Sequence, residues 1–134
     1  MADDFAFIAE IPGATDLFAW FGFWPTFHDG EILSIHLDRS GPSRIRVHTR
    51  ERTNELDSRR YYVLRKHVIV TFVLEDISDS ELDEFNHQNV VAGLTLIKEP
   101  NRYKLELWPC FGLNGTITAG SVRIELEPGM PPDS

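Results

Sequence analysis

Alternation of apolar and polar positions dominates the chain, and it sets in after a short helical opening. Thr15 precedes Asp16-Leu-Phe-Ala-Trp-Phe21 and Gly22 follows, which predicts a helix of about two turns, capped by a hydroxyl and stopped by a residue tolerant of positive φ. Pro25 blocks any extension. Over residues 31–38, Leu33, Ile35 and Leu37 alternate with Ile32, Ser34, His36 and Asp38, as expected of a strand whose first set is buried. Ser40-Gly-Pro-Ser43 reads as a turn. Over residues 44–50, Ile45, Val47 and Thr49 share one face and Arg44, Arg46, His48 and Arg50 the other, so the two strands form an antiparallel hairpin. Matching the buried faces requires an even pairing sum, and one such register would place His36 directly across from His48.

Residues 51–60 are polar and aperiodic and read as a mobile connection. Residues 67–75 alternate again but are apolar on both faces, the mark of a central strand. Ser78-Asp-Ser-Glu81 has the form of a capping box, which predicts a short acidic helix to about Asn86 anchored by Leu82 and Phe85. Four further strands follow, at 90–99, 103–108, 116–119 and 121–127, divided by Pro100-Asn101, by Phe111-Gly-Leu-Asn-Gly115 and by Gly120. The expected fold is α+β and mostly β: a single curved, partly closed antiparallel sheet of six or seven strands with two short helices. Residues 1–127 form one domain, and 128–134 a disordered tail. No strand–long helix–strand unit is present, which argues against a doubly wound nucleotide-binding fold.

Charge narrows the choice of partners. Of 134 residues, 13 are Lys or Arg and 21 are Asp or Glu, a net charge of −8 that disfavours a dedicated nucleic-acid binder. The distribution is uneven: residues 1–38 carry seven acids and no Lys or Arg, residues 39–66 carry nine bases against three acids, and residues 67–101 return to −6. An Arg-rich hairpin is thus set between acidic blocks, with weak surface pairing between them expected. The single cysteine, Cys110, precludes an intramolecular disulfide and reads as a small buried hydrophobe. The opening Met-Ala-Asp-Asp lacks the features of a secretory signal, and no apolar run reaches the ~18 residues of a membrane span, so a cytoplasmic protein is expected.

Three groups of residues carry candidate chemistry. Eight of the 15 aromatic residues (Phe5, Phe7, Phe18, Trp20, Phe21, Phe23, Trp24 and Phe27) fall in the first 27 positions, too dense for chance placement. They supply either anchors for a protein partner or, the expected role, a plug for the open face of the sheet. Trp24, His28, Asp29 and Glu31 form a possible ligand site, since an imidazole and two carboxylates can hold a metal or perform acid–base work. An Asp before Gly more commonly caps a turn, with the neighbouring His bonded to backbone, and no catalytic residue, metal or cofactor is assigned. The acids Glu75, Asp76, Asp79, Glu81, Asp83 and Glu84 form a possible docking surface for a strongly basic protein.

The stretch Phe21-Gly-Phe-Trp-Pro-Thr-Phe-His-Asp-Gly-Glu-Ile32 resembles the WPxFHDxE motif of a predicted immunity-protein family of bacterial polymorphic toxin systems. Phe111-Gly-Leu-Asn-Gly-Thr-Ile117 and the strand at 122–126 resemble the end of the same domain. The resemblance implies a small cytoplasmic protein that binds a cognate toxin and blocks it, with no chemistry of its own, and it brings no contact residues. The alternatives are a small enzyme or metal-binding domain built on His28, Asp29 and Glu31, or a dimeric structural or regulatory module.

Overall fold

A computed structural model of the chain describes residues 6–131. A 3-10 turn at Ile8–Glu10 leads into the helix α1, Ala14–Phe21. Six strands follow: β1 (Gly30–His36), β2 (Ser43–Leu56), β3 (Tyr62–Asp83), β4 (Val90–Glu99), β5 (Arg102–Phe111) and β6 (Asn114–Pro128). All neighbours pair antiparallel, and the sheet closes into a barrel in the order β1-β2-β3-β6-β5-β4. No helix of the described residues is long and apolar enough to cross a membrane.

Among the described residues one α-helix is present, and its start is fixed by docking and not by the Thr15 hydroxyl. Gly13 holds the N-cap position at φ 89° with no side-chain cap, and the carbonyl of Pro12 accepts a 2.7 Å hydrogen bond from Ile124 N–H on β6. A Cβ on Gly13 would stand 1.8 Å from the Ile124 carbonyl oxygen, so only glycine lets the chain approach β6 there. At the far end Gly22 takes φ 83° and its N–H closes on the Phe18 carbonyl at 2.7 Å, the expected stop.

The hairpin of β1 and β2 forms as alternation predicts, with Ile45, Val47 and Thr49 buried. On β1, however, the inward residues are Ile32 and Ile35, paired with Val47 and Ile45, while Leu37 is exposed. A bulge between Ile32 and Ser34 adds a residue at Leu33 and shifts the alternation. The same bulge sets His36 across from Arg44, so His36 and His48 do not meet.

β3 is the spine of the barrel. Val68, Val70, Phe72 and Leu74 face the core, and Ile69 and Val73 on the outer face are also almost wholly buried. Val73 lies between Arg44 of β2 and Arg123 of β6, long side chains whose aliphatic stems are suited to cover an apolar neighbour. Three predicted boundaries shift. Residues 51–60 are no loose connection: β2 runs to Leu56, and a hairpin arm forms with Asp57 Oδ1 accepting from the N–H groups of Arg59 (2.8 Å) and Tyr61 (3.0 Å). Residues 78–83 are strand rather than acidic helix, because Asp79 to Asp83 pair with Thr118 to Asn114 of β6 and long-range pairing outweighs the local capping box. The expected domain end at residue 127 falls inside β6, Gly129 N–H donates to His67 O at 2.8 Å, and Pro131 is buried; residues 132–134 of the predicted tail lie outside the described residues.

The aromatic opening mostly closes the barrel. Phe21 and Phe27 are buried, and Phe7, Trp20 and Trp24 pack half-buried on the core. Phe18 and Phe23 remain exposed, and Phe5 lies outside the described residues.

Candidate functional site

The aromatic motif is built around one buried ring. Phe27 packs against Phe72 at 5.6 Å and edge-on to Trp24 at 6.4 Å between centroids, which fixes the segment to the barrel core. The next three residues then turn sharply. Phe27 and Asp29 take φ 64° and 61°, and Gly30 N–H returns to the Phe27 carbonyl at 2.8 Å. Asp29 N–H donates to Val91 O at 2.9 Å, and Arg50 Nη1 donates to Asp29 O. The turn thereby joins β1, β2 and β4 at the seam where the barrel closes.

His28 and Asp29 lie together on this turn, and Glu31 does not join them. His28 Nδ1 contacts Ala92 O at 3.2 Å, and its Nε2 lies 3.5 Å from Asp29 Oδ2. Both side chains are largely exposed. They border a cleft of about 330 Å³ that also includes Phe23, Thr49 and Arg52. Glu31 sits on β1 opposite His48 and does not line it. Among the described residues, no three His, Cys, Asp or Glu side chains gather in a way that could hold a metal ion. Trp24 lines two neighbouring clefts instead, both largely apolar in their residues and both also bordered by Ile8. Cys110 corrects the sequence expectation: it is exposed at the end of β5, alongside exposed Trp108 and Phe111, because the strand outruns the core there.

The acidic residues take a different geometry from the predicted helix, and a more concentrated one. A bulge at Ser78, two residues past Asp76 with its φ of 60°, shifts the register between Ile77 and Asp79. Beyond it Ser80 pairs with core-facing Ile117, so Asp79, Glu81 and Asp83 project together from the opposite face. Spacing along one strand face puts successive carboxylates about 7 Å apart, whereas a helix would have spread them around its axis. Glu75 is paired with Arg123 at 3.3 Å and Asp76 with Arg102 at 3.1 Å. Asp79, Glu81, Asp83 and Glu84 have no cationic partner among the described residues.

The opposite end of β3 is basic. Past the barrel the β2–β3 arm pairs Arg65 with Glu55, sets Arg52 over the Tyr62 ring at 5.0 Å, and exposes Tyr61 at its tip. At the base of the arm lies a contact the sequence reading missed: His48 Nε2 stands 3.0 Å from His67 Nδ1. Its only signal is that the polar stretch between them folds back as a hairpin. No family model, curated protein or solved structure matches the chain.

Proposed function

We propose that the chain is a non-enzymatic protein-binding domain of the immunity type, which docks a basic toxin domain on the carboxylates at the end of β3 and blocks it. The observation behind this reading is the row of Asp79, Glu81 and Asp83 on one strand face, with Glu84 following and no cationic partner for any of them among the described residues. Like charges at that spacing repel one another in the free protein, and a basic surface relieves the repulsion on docking. Their combined field also steers a cationic partner toward this end and away from the Arg-rich arm. The WPxFHDxE resemblance supports the toxin partnership. In this reading Trp24, His28 and Asp29 shape the turn at the barrel seam rather than perform chemistry.

The test is to mix the purified chain with the toxin domain encoded beside its gene, following complex formation by gel filtration and toxin activity in parallel. A stable complex at micromolar concentration with loss of toxin activity is expected. The absence of a neighbouring toxin gene, or two unshifted peaks at about 10 μM each, overturns the reading.

A further inference from the structure

We infer that the outer edge of β4 accepts a single extended strand from a partner protein. The turn at Pro100-Asn101 fixes which backbone groups face outward. With two residues in the turn, Glu99 and Arg102 are its closing pair, and such a pair exchanges hydrogen bonds across a tight antiparallel turn. Ile97 and Thr95 therefore bond to β5, while Lys98, Leu96 and Leu94 direct their N–H and C=O groups away from it. The Leu94 N–H shows this phase directly, donating outward to Thr26 O at 3.1 Å.

The edge runs out of partners just beyond that bond. β1 pairs with β4 only at Gly30 to Val91 and Glu31 to Val90, and the preceding chain follows β4 no further than Thr26. The outward groups of Leu96 and Lys98 have no partner among the described residues. They border a groove of about 640 Å³ lined by Phe7, Ile8, Trp24 and Pro25 as well as by β4 from Gly93 to Lys98.

These features together specify the occupant. Unpaired donors and acceptors repeating every second residue are matched by another β-strand, and apolar walls beside them give pockets for its alternate side chains. A second copy of this chain is a poor fit. Its edge would have to come within about 4.8 Å of β4, and it would bring the walls of its own groove, Phe7, Ile8, Trp24 and Pro25, with it. A lone extended segment carries no such walls. The occupant is a stretch of partner polypeptide with apolar residues at alternate positions and no proline at those that pair. This surface is separate from the acidic row on β3, and each can fail without the other.

The test pans a phage library of random linear dodecapeptides against the full chain. Enriched sequences should share a period-two apolar pattern, and their binding should protect the Leu96 and Lys98 amides from hydrogen exchange. Lys98→Pro removes one outward N–H and should weaken an enriched peptide about tenfold, whereas Lys98→Ala keeps that N–H and should bind within about twofold. The triple variant Asp79→Lys/Glu81→Lys/Asp83→Lys should capture the peptide unchanged. No enrichment, equal binding by the two Lys98 variants with unchanged amide exchange at Leu96, or protection of those amides by dimerisation of the chain alone each overturns the inference.

Discussion

His48 on β2 and His67 on β3 place Nε2 and Nδ1 3.0 Å apart, with their rings stacked at 5.2 Å between centroids. One nitrogen of such a contact donates and the other must accept, so the accepting ring is neutral. Burial first, then the charges of His67 and Arg50, holds His48 below the ordinary histidine pKa of 6.5. Arg46 shares that face of β2, and Glu31 lies opposite His48 on β1.

A depressed histidine pKa means that the unfolded chain binds more protons than the folded one as pH falls through 6.5. The contribution is complete above that pH and is lost on acidification. Urea midpoints measured from about pH 7.5 down to about pH 5.5 should therefore decline, and His48→Gln should flatten the decline. An unchanged slope in the variant would show that the pair does not control it.

Two neighbouring motif residues should behave oppositely. Phe27→Ala removes the ring that Phe72 and Trp24 enclose and should cost about 3–5 kcal/mol. His28→Ala, on an exposed side chain, should cost less than about 1 kcal/mol. Chemical denaturation of both variants checks the contrast, and equal losses would contradict the division of the motif into a core anchor and a surface turn.

Asn89 is the buried polar pin of the loop before β4. Its Oδ1 accepts from Asn86 N–H at 2.9 Å and Leu113 N–H at 3.1 Å, and its Nδ2 donates to Asn86 O at 2.6 Å. Asn89→Ala strands these backbone groups and should destabilise by about 2–4 kcal/mol. Native-state hydrogen exchange should show the Leu113 amide losing protection first.

Much of the barrel was legible because side-chain alternation reports directly on which face is buried. Ile45, Val47 and Thr49 on β2, and Val68 to Leu74 on β3, follow from it without knowledge of the partners. What alternation does not carry is pairing at long range. The sequence around Ser78 has sound local reasons to be helical, yet Asp79 to Asp83 find backbone partners on β6 some 30 to 40 residues later. Residues 51–56 likewise look irregular until their partners at 62–65 are known, since a bulge between Thr49 and Glu51 breaks the period. The candidate acids were readable as residues, but their alignment on one face depended on the strand and its bulge between Ile77 and Asp79.

Gly115 provides a direct check on that strand. It takes φ 136°, and a Cβ there would stand 1.8 Å from the Glu81 carbonyl oxygen. Gly115→Ala should therefore separate β3 from β6 at the acidic end and cost more than about 2 kcal/mol. An acidic helix at residues 78–86 would leave the same substitution nearly silent, so a neutral result in thermal melting would restore the helical assignment.

The acidic row on β3 is the central element of the functional account, and its most direct measurement is calorimetric titration of the neighbouring toxin domain into the chain and into the Asp79→Lys/Glu81→Lys/Asp83→Lys variant at two salt concentrations. The account predicts a complex that weakens as salt rises and loses at least about tenfold in affinity in the variant. A complex of equal affinity in both proteins, or one indifferent to salt, would contradict it.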